Sequence, residues 1–307
     1  MHAGQRLRQL MQKKCVMLPG AFNGLVGRLV AEAGFEGTYI SGAAISGAAG
    51  LPDIGVHSLE SFCRSIKEVS MASGLPLIAD ADTGFGEAEM VTRTVWEYHQ
   101  AGAAGLHMED QVFPKRCGHL DGKSLVGTSD FVEKVKRAVA ASKACSEGSF
   151  VVCARTDARG VEGMDAALER ARVYAEAGAD MIFPEGLNNE EEFETFAKEM
   201  RKVKAPHLEA PGGGPYLLAN MTEYGKTPLI PHARFAALGY HCVIFPVSTL
   251  RVAMRPVQEL LETLQKTGSV EAIQDRMYDR KSLYKSLGYT PGVEWTYPSS
   301  ITDRKKE

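Results

Sequence analysis

The chain has 307 residues, 44% of them hydrophobic, and carries 35 Lys and Arg against 38 Asp and Glu, a net charge of −3. That balance excludes bulk attraction to nucleic acid or to an anionic membrane surface, and no apolar run approaches the ~20 residues of a membrane span. The length suits one domain built as an α/β (β/α)8 barrel, over residues 1–307, with a core of about 10–290 and a charged tail at 302–307.

The opening stretch, Met1 to Lys14, is basic and free of acids. It reads as the first helical turn of the domain; a mitochondrial address would need a presequence ahead of this chain. Eight short, nearly continuous apolar runs follow: Cys15–Leu18, Thr38–Ser41, Leu75–Asp80, Ala104–Glu109, Phe150–Arg155, Asp180–Pro184, Tyr216–Asn220 and Cys242–Phe245. Such runs are the pattern of strands buried on both faces. Amphipathic segments of helical length separate them, several ending in Ala-Gly steps (Ala33-Gly34, Ala101-Gly102, Ala177-Gly178) that suit left-handed helix caps. Eight βα units predict a closed parallel barrel. The turn after the first strand, Pro19 to Gly24, lacks the dinucleotide fingerprint of an open doubly wound sheet. His207–Pro215, with Pro211-Gly212-Gly213-Gly214-Pro215, precedes a strand and so reads as a bottom loop, not a phosphate cradle. Ser269–Leu287 reads as one further helix. The six cysteines, Cys15, Cys63, Cys117, Cys145, Cys153 and Cys242, form no CxxC pair, which favours a reduced, intracellular, cytoplasmic setting.

In such a barrel the chemistry lies where strands end. Those places carry Ser41, Asp80 and Asp82, Glu109-Asp110, Arg155-Thr156-Asp157, Glu185, Asn220 with Thr222 and Glu223, and Ser248 with Arg251. Ionisable groups at so many strand ends predict one converging polar site. Asp80 and Asp82, two apart on an extended segment, face the same side. Their mutual repulsion calls for a cation between them, and hard oxygen ligands suit Mg²⁺ or Mn²⁺. The alternative is helix capping by Asp82 and a solvated Asp80. Glu109 can complete the acidic cluster, and His107, on the same side of its strand, can support it.

The loop after the fourth strand carries Lys115-Arg116-Cys117-Gly118-His119. Two neighbouring cations and a nearby His favour a thiolate, and Gly118 lets the loop fold over a ligand; a free surface Cys in a basic loop is the other reading. Phe183, Ile244 and Pro246, beside Glu185 and ahead of Arg251, are either an apolar substrate pocket or plain barrel packing.

The run Lys115 to His119 resembles the signature of the isocitrate lyase and phosphoenolpyruvate mutase superfamily, specifically its lyases. Tyr39-Ile-Ser41-Gly42, Gly50-Leu-Pro-Asp53, Asp80-Ala-Asp82-Thr-Gly-Phe-Gly86, His107-Met-Glu109-Asp-Gln111, Ala154-Arg155-Thr-Asp-Ala158, Phe183-Pro-Glu185, Asn220-Met221-Thr222 and Phe245 to Arg251 then follow in the family's order. Length and motifs are most similar to the 2-methylisocitrate lyases within it. The chain departs from the pattern in Ala43-Ala44 after Ser41-Gly42, in one residue fewer before Asp53, and in the Gly-rich insertion.

The resemblance implies that Ser41, Gly42 and Ala43 hold a substrate carboxylate, and that Asp80 and Asp82 hold Mg²⁺ with Asp53 and Glu109 nearby. It implies that Arg155, Arg251 and Arg280 bind carboxylates as bidentate forks. Glu185, Asn220, Met221, Thr222, Gly118 and His119 would complete the substrate site. Cys117 would be the acid, and Tyr39 or Glu109 the hydroxyl base, with His107 in support. The implied activity is Mg²⁺-dependent cleavage of a small-molecule tricarboxylate by a homotetramer that exchanges a C-terminal helix. The alternatives are isocitrate lyase, oxaloacetate decarboxylase, a phosphonate-forming mutase, or a barrel that binds carboxylates without turnover.

Overall fold

A computed structural model describes residues 2–118 and 122–296. The strands are β1 (Val16–Pro19), β2 (Thr38–Ile40), β3 (Leu77–Asp80), β4 (Gly105–Glu109), β5 (Val151–Thr156), β6 (Met181–Pro184), β7 (Tyr216–Asn220) and β8 (Cys242–Phe245). The helices are α1 (Ala3–Met11), α2 (Gly24–Glu32), α3 (Gly42–Ala48), α4 (Leu59–Ser73), α5 (Ala88–Ala101), α6 (Thr128–Ser146), α7 (Ala158–Val161), α8 (Met164–Glu176), α9 (Glu190–Met200), α10 (His232–Leu238), α11 (Ser248–Thr267) and α12 (Arg280–Leu287). All eight expected strands form, β7 and β8 with the expected bounds and the other six with an end moved by one or two residues.

The strands pair in parallel in the order β1-β8-β7-β6-β5-β4-β3-β2. Between β1 and β2 the barrel closes through a single parallel bridge, Gly20 with Tyr39, reinforced by Thr38 Oγ1 donating to the Pro19 carbonyl at 2.8 Å. Gly20 has no room for a side chain there, since a Cβ would strike the Pro246 carbonyl. This is the (β/α)8 barrel expected from the sequence.

Apolar residues fill two layers. One lies between strands and helices, with Phe62, Phe131, Tyr174, Phe193 and Phe235 fully buried. The other fills the barrel interior, where Leu7 and Met11 of α1 close the bottom against Val16, Ile78, Val151 and Met181. Burial of each such side chain stabilises the fold by roughly 1.5–3 kcal/mol. Arg8 on α1 fixes the plug by pairing with Asp180 at 2.8 Å.

Helix starts are set by local chemistry. The Asn23, Ser41 and Ser58 side chains accept backbone N–H groups at the starts of α2, α3 and α4. The segment Ser269–Leu287 is not one helix. Gly268, left-handed at φ 68°, ends α11. A 3₁₀ turn follows at Glu271–Arg276, and Asp279 caps the separate α12 by accepting from Ser282 N. A cap residue needs extended backbone, which breaks the run. No helix among the described residues is long and apolar enough to cross a membrane.

Candidate active site

Strand register brings the polar ends to one height. Asp80 stands beside His107, Glu109 beside Arg155, and Arg155 beside Phe183. Of these, Asp80 and Arg155 line one cavity at the carboxyl ends of the strands with Tyr39, Ser41, Asp53, Asn220, Thr222 and Arg251, under Cys117 and Gly118 of the loop after β4, and His107 and Glu109 stand behind that lining. Phe183, Ile244 and Pro246 line the same cavity.

The two aspartates meet, but not by strand alternation. β3 stops at Asp80, and Asp82 sits in the left-handed region at φ 45°, a conformation that costs a non-glycine residue free energy and persists only where its surroundings enforce it. Asp82 N donates to Asp80 Oδ1 at 3.1 Å. Gly42 N donates to Asp80 Oδ2 at 3.0 Å, so this N–H, expected to face a substrate carboxylate, is bound to the acid cluster. Ser41 Oγ accepts from Ala44 N at 3.3 Å as the cap of α3.

Lys115, one of the two cations that neighbour Cys117 in sequence, pairs with Asp53 and stands 2.8 Å from Asp82 Oδ1 with its side chain 3% exposed. Nothing in its spacing signals this; it follows from how the loop folds back over the barrel. Burial opposes its charge, but Glu109, Asp80, Asp82 and Asp53 together raise its pKa. Burial likewise opposes the charge of Asp80, and cations including Lys115 and Arg155 outweigh it, holding its carboxyl below the ordinary range. Burial, then the neighbouring Asp80, pushes Asp82 up to about 6. Glu109 is raised well above the usual range by burial, only partly offset by Arg155 and Lys115.

His107 Nε2 lies 2.6 Å from Tyr39 Oη. Burial lowers the His107 pKa to about 4, so the ring is neutral near pH 7, and burial raises that of Tyr39 well above 10. Arg155 is held by Asp157 through Nε (2.9 Å) and Nη2 (3.2 Å), and its Nη1 reaches Glu109 Oε2 at 3.2 Å. Its guanidinium also lies over the Phe183 ring, 5.2 Å from the centroid. Asn220 Nδ2 donates to Glu185 Oε2 at 3.1 Å. Arg251 reaches Thr222 Oγ1 at 3.3 Å and pairs with Glu223 at 2.8 Å. Met221 is buried just past β7, its sulfur taking the Ile230 N–H at 3.1 Å. Arg280 is not brought to this cavity. It opens α12, exposed, on the helix that packs against α2 on the outer wall. His119 lies outside the described residues.

Asp80, Asp82, Glu109 and Glu185 are each at most 5% exposed. Two cations, Lys115 and Arg155, face these four carboxylates and Asp53. Asp82 Oδ1 faces Lys115 Nζ at 2.8 Å and Glu109 Oε2 faces Arg155 Nη1 at 3.2 Å, while Glu109 Oε1 is buried with no hydrogen-bond donor among the described residues. Among the described residues, no three His, Cys, Asp or Glu side chains are grouped as a complete metal cage. An excess of buried, hard carboxylate oxygens without a full cage fits Mg²⁺, which takes one or two carboxylates and fills its other positions with water and substrate.

The model of the phosphoenolpyruvate phosphomutase family matches residues 7–265. The chain belongs to that family. It is 47% identical over 272 residues to the probable 2-methylisocitrate lyase 1 of Corynebacterium glutamicum, covering 89% of this chain and 84% of that one. It is 45% identical over 287 residues to the 2-methylisocitrate lyase of Aeropyrum pernix, covering 93% and 87%. Among solved structures, 2,3-dimethylmalate lyase superposes with a TM-score of 0.85 at 32% identity, covering 94% of this chain and 92% of the other. Phosphonopyruvate hydrolase in complex with oxalate and Mg²⁺ superposes at 0.81 and 30% identity, covering 94% and 95%. The two solved relatives thus share the barrel seen here.

Proposed function

We propose that this chain is a Mg²⁺-dependent carbon–carbon lyase that cleaves 2-methylisocitrate to pyruvate and succinate, a step of the methylcitrate cycle of propionate breakdown. The observation that carries the reading is the convergence of Cys117, Arg155 and Asp80 on one cavity, with Asp82 bound to Asp80 behind it, in a chain 45% and 47% identical to lyases of that name. Residues 1–307 act in this reading as one lyase domain in a reducing intracellular compartment, in keeping with six free thiols.

Asp80 and Asp82 would hold the ion, with Asp53 and Glu109 beside them. When bound, Mg²⁺ supplies Lewis acidity toward the substrate's α-hydroxy-carboxylate. Glu109 takes the hydroxyl proton as a carboxylate, with Arg155 Nη1 3.2 Å from its Oε2. Tyr39 and His107 instead orient the acid cluster. As the hydroxyl becomes the ketone of pyruvate, the C2–C3 bond breaks and its electron pair passes to the carbon of the succinate half. Arg155, Arg251, Asn220 and Thr222 offer donors to the carboxylate where that charge develops. Glu185 positions Asn220, and Ser41, Ala43 and Gly118 complete the carboxylate seat. Cys117 protonates the carbon.

Assembly belongs to the same reading. Leu250, Met254, Val257, Leu261 and Leu264 form one apolar stripe along α11, spaced by three and four residues. The last four are 43–58% exposed. A second copy of the chain suits that stripe, and we infer a homotetramer with C-terminal helices exchanged.

The test is turnover of 2-methylisocitrate beside isocitrate and oxaloacetate, with Mg²⁺ and after exhaustive chelation. Expected is pyruvate and succinate from 2-methylisocitrate, abolished by EDTA and restored by Mg²⁺ or Mn²⁺. Full activity after chelation, or turnover of oxaloacetate alone, overturns the reading.

A further inference from the structure

Lys123 lies outside the cavity lining and has no role in the reaction as described. Its side chain is nonetheless 3% exposed, and its ammonium makes two contacts. One is with Asp157 Oδ1, at 2.7 Å. The other is with the backbone carbonyl of Gly118. Asp157 is the carboxylate that grips Arg155 through two N–H groups, and it is itself fixed, its N–H donating to Asp110 Oδ1 at 2.9 Å. One ammonium therefore ties the Cys117–Gly118 segment to the group that aims Arg155.

Two further facts give that tie a use. Gly118 is pressed onto the site so closely that a Cβ there would lie 2.5 Å from Glu185 Cγ and closer still to Arg155 Nη2. The height of this segment above Arg155 thus has no slack. Arg155, whose Nε and Nη2 are held by the Asp157 that Lys123 also grips, turns its Nη1 to Glu109 at 3.2 Å and Glu185 at 3.7 Å. An ion pair serving stability alone would have no reason to include the Gly118 carbonyl.

We propose that Lys123 is a positioning residue that sets the thiol of Cys117 in register with Arg155, by holding the Gly118 carbonyl and the Asp157 carboxylate together. The proposal rests on the roles given above to Cys117 and Arg155.

The test compares Lys123→Met and Lys123→Arg with the unsubstituted enzyme in two arms. The first is the rate of iodoacetamide alkylation of Cys117 without substrate, followed by mass spectrometry of its peptide. The second is kcat and KM for 2-methylisocitrate with Mg²⁺. Losing a charge-assisted hydrogen bond is worth roughly 10- to 100-fold. Lys123→Met should therefore raise the Cys117 alkylation rate at least ~10-fold and lower kcat by a similar factor, with a smaller change in KM. Lys123→Arg, which keeps the charge, should recover most of both. An unchanged alkylation rate overturns the proposal, whether or not turnover falls, because a merely structural lysine would leave the thiol's access as it was. If Lys123→Met does not fold, Lys123→Gln carries the same comparison. Failure of the unsubstituted enzyme to turn over 2-methylisocitrate would count against the proposed function, while the alkylation arm would still decide the role of Lys123.

Discussion

Cys117 meets the cavity from the loop after β4 and Arg155 meets it from the barrel wall, and in the proposed reaction the substrate would lie between them. A thiol so placed can hand a proton to a carbon without being part of any metal cluster. Cys117→Ser keeps the size and the hydrogen-bonding capacity of the side chain but is a far weaker acid. It is expected to fold and bind metal normally yet lose at least ~10²-fold in kcat, the scale of a general acid. Near-normal turnover by that variant would remove Cys117 from the chemistry. Selectivity is also a residue-scale matter. Phe183 and Ile244 are at most 1% exposed and line the cavity with Pro246. An apolar seat for one methyl is worth roughly 1–3 kcal/mol, or about 10- to 200-fold. The kcat/KM for 2-methylisocitrate should exceed that for isocitrate at least ~10-fold. Equal or reversed values on purified enzyme with Mg²⁺ would assign these three side chains to packing alone.

Among the elements, the bottom of the barrel holds the apolar plug and the top holds the polar cavity. The loop His207–Pro215 lies at the bottom, before β7, and packs on its neighbours: a Cβ on Gly214, at φ 74°, would strike the Met200 carbonyl. His241, just before β8, binds this loop to the sheet. Leu217 N donates to its Nδ1 at 3.0 Å, which puts the ring proton on Nε2, facing the Pro211 carbonyl at 3.3 Å. A second proton would have to enter on Nδ1, against that N–H. Burial accordingly lowers the His241 pKa from 6.5 to about 4. Between those values the unfolded chain binds the proton and the native one does not. Stability conferred by the neutral ring is therefore whole above about pH 6.5 and drains away as pH falls toward 4. One such group contributes a slope of up to about 1.4 kcal/mol per pH unit. Urea midpoints measured across that window should fall with pH, and less steeply for His241→Gln. An identical slope in the variant would refute the assignment.

For the whole molecule, α11 is the feature that a lone chain leaves unexplained. Its apolar stripe faces solvent for most of its length, and exposed stripes of this kind mark interaction surfaces. In solution the protein is expected to sediment as four chains. Leu261→Glu with Leu264→Glu should shift it to smaller species, because two charges cannot be buried unpaired in an apolar contact. A monomer in the unsubstituted protein, or a tetramer that survives both substitutions, would place the stripe outside any assembly contact.

What the sequence determined by itself was everything that a single strand or loop can encode. Eight buried apolar runs specified eight strands, because a parallel strand covered on both faces must be apolar throughout. Polar residues at their carboxyl ends specified that a converging polar cavity would form there, and the ordered motifs from Tyr39 to Arg251 specified the family. The tertiary structure decided what depends on relations between segments. The meeting of Asp80 with Asp82 comes from a turn that puts Asp82 at φ 45°, not from the alternation that first suggested it. The commitment of Lys115 to Asp53 and Asp82, of Gly42 N–H to Asp80, and of Asp157 to Arg155 depends on loops folding across the barrel mouth. Arg280 stands on the outer wall because Asp279 starts a separate short helix there. Strand periodicity is local and is written in the order of residues, whereas the partner of a buried charge is chosen by whichever segment the closed barrel brings within about 3 Å of it.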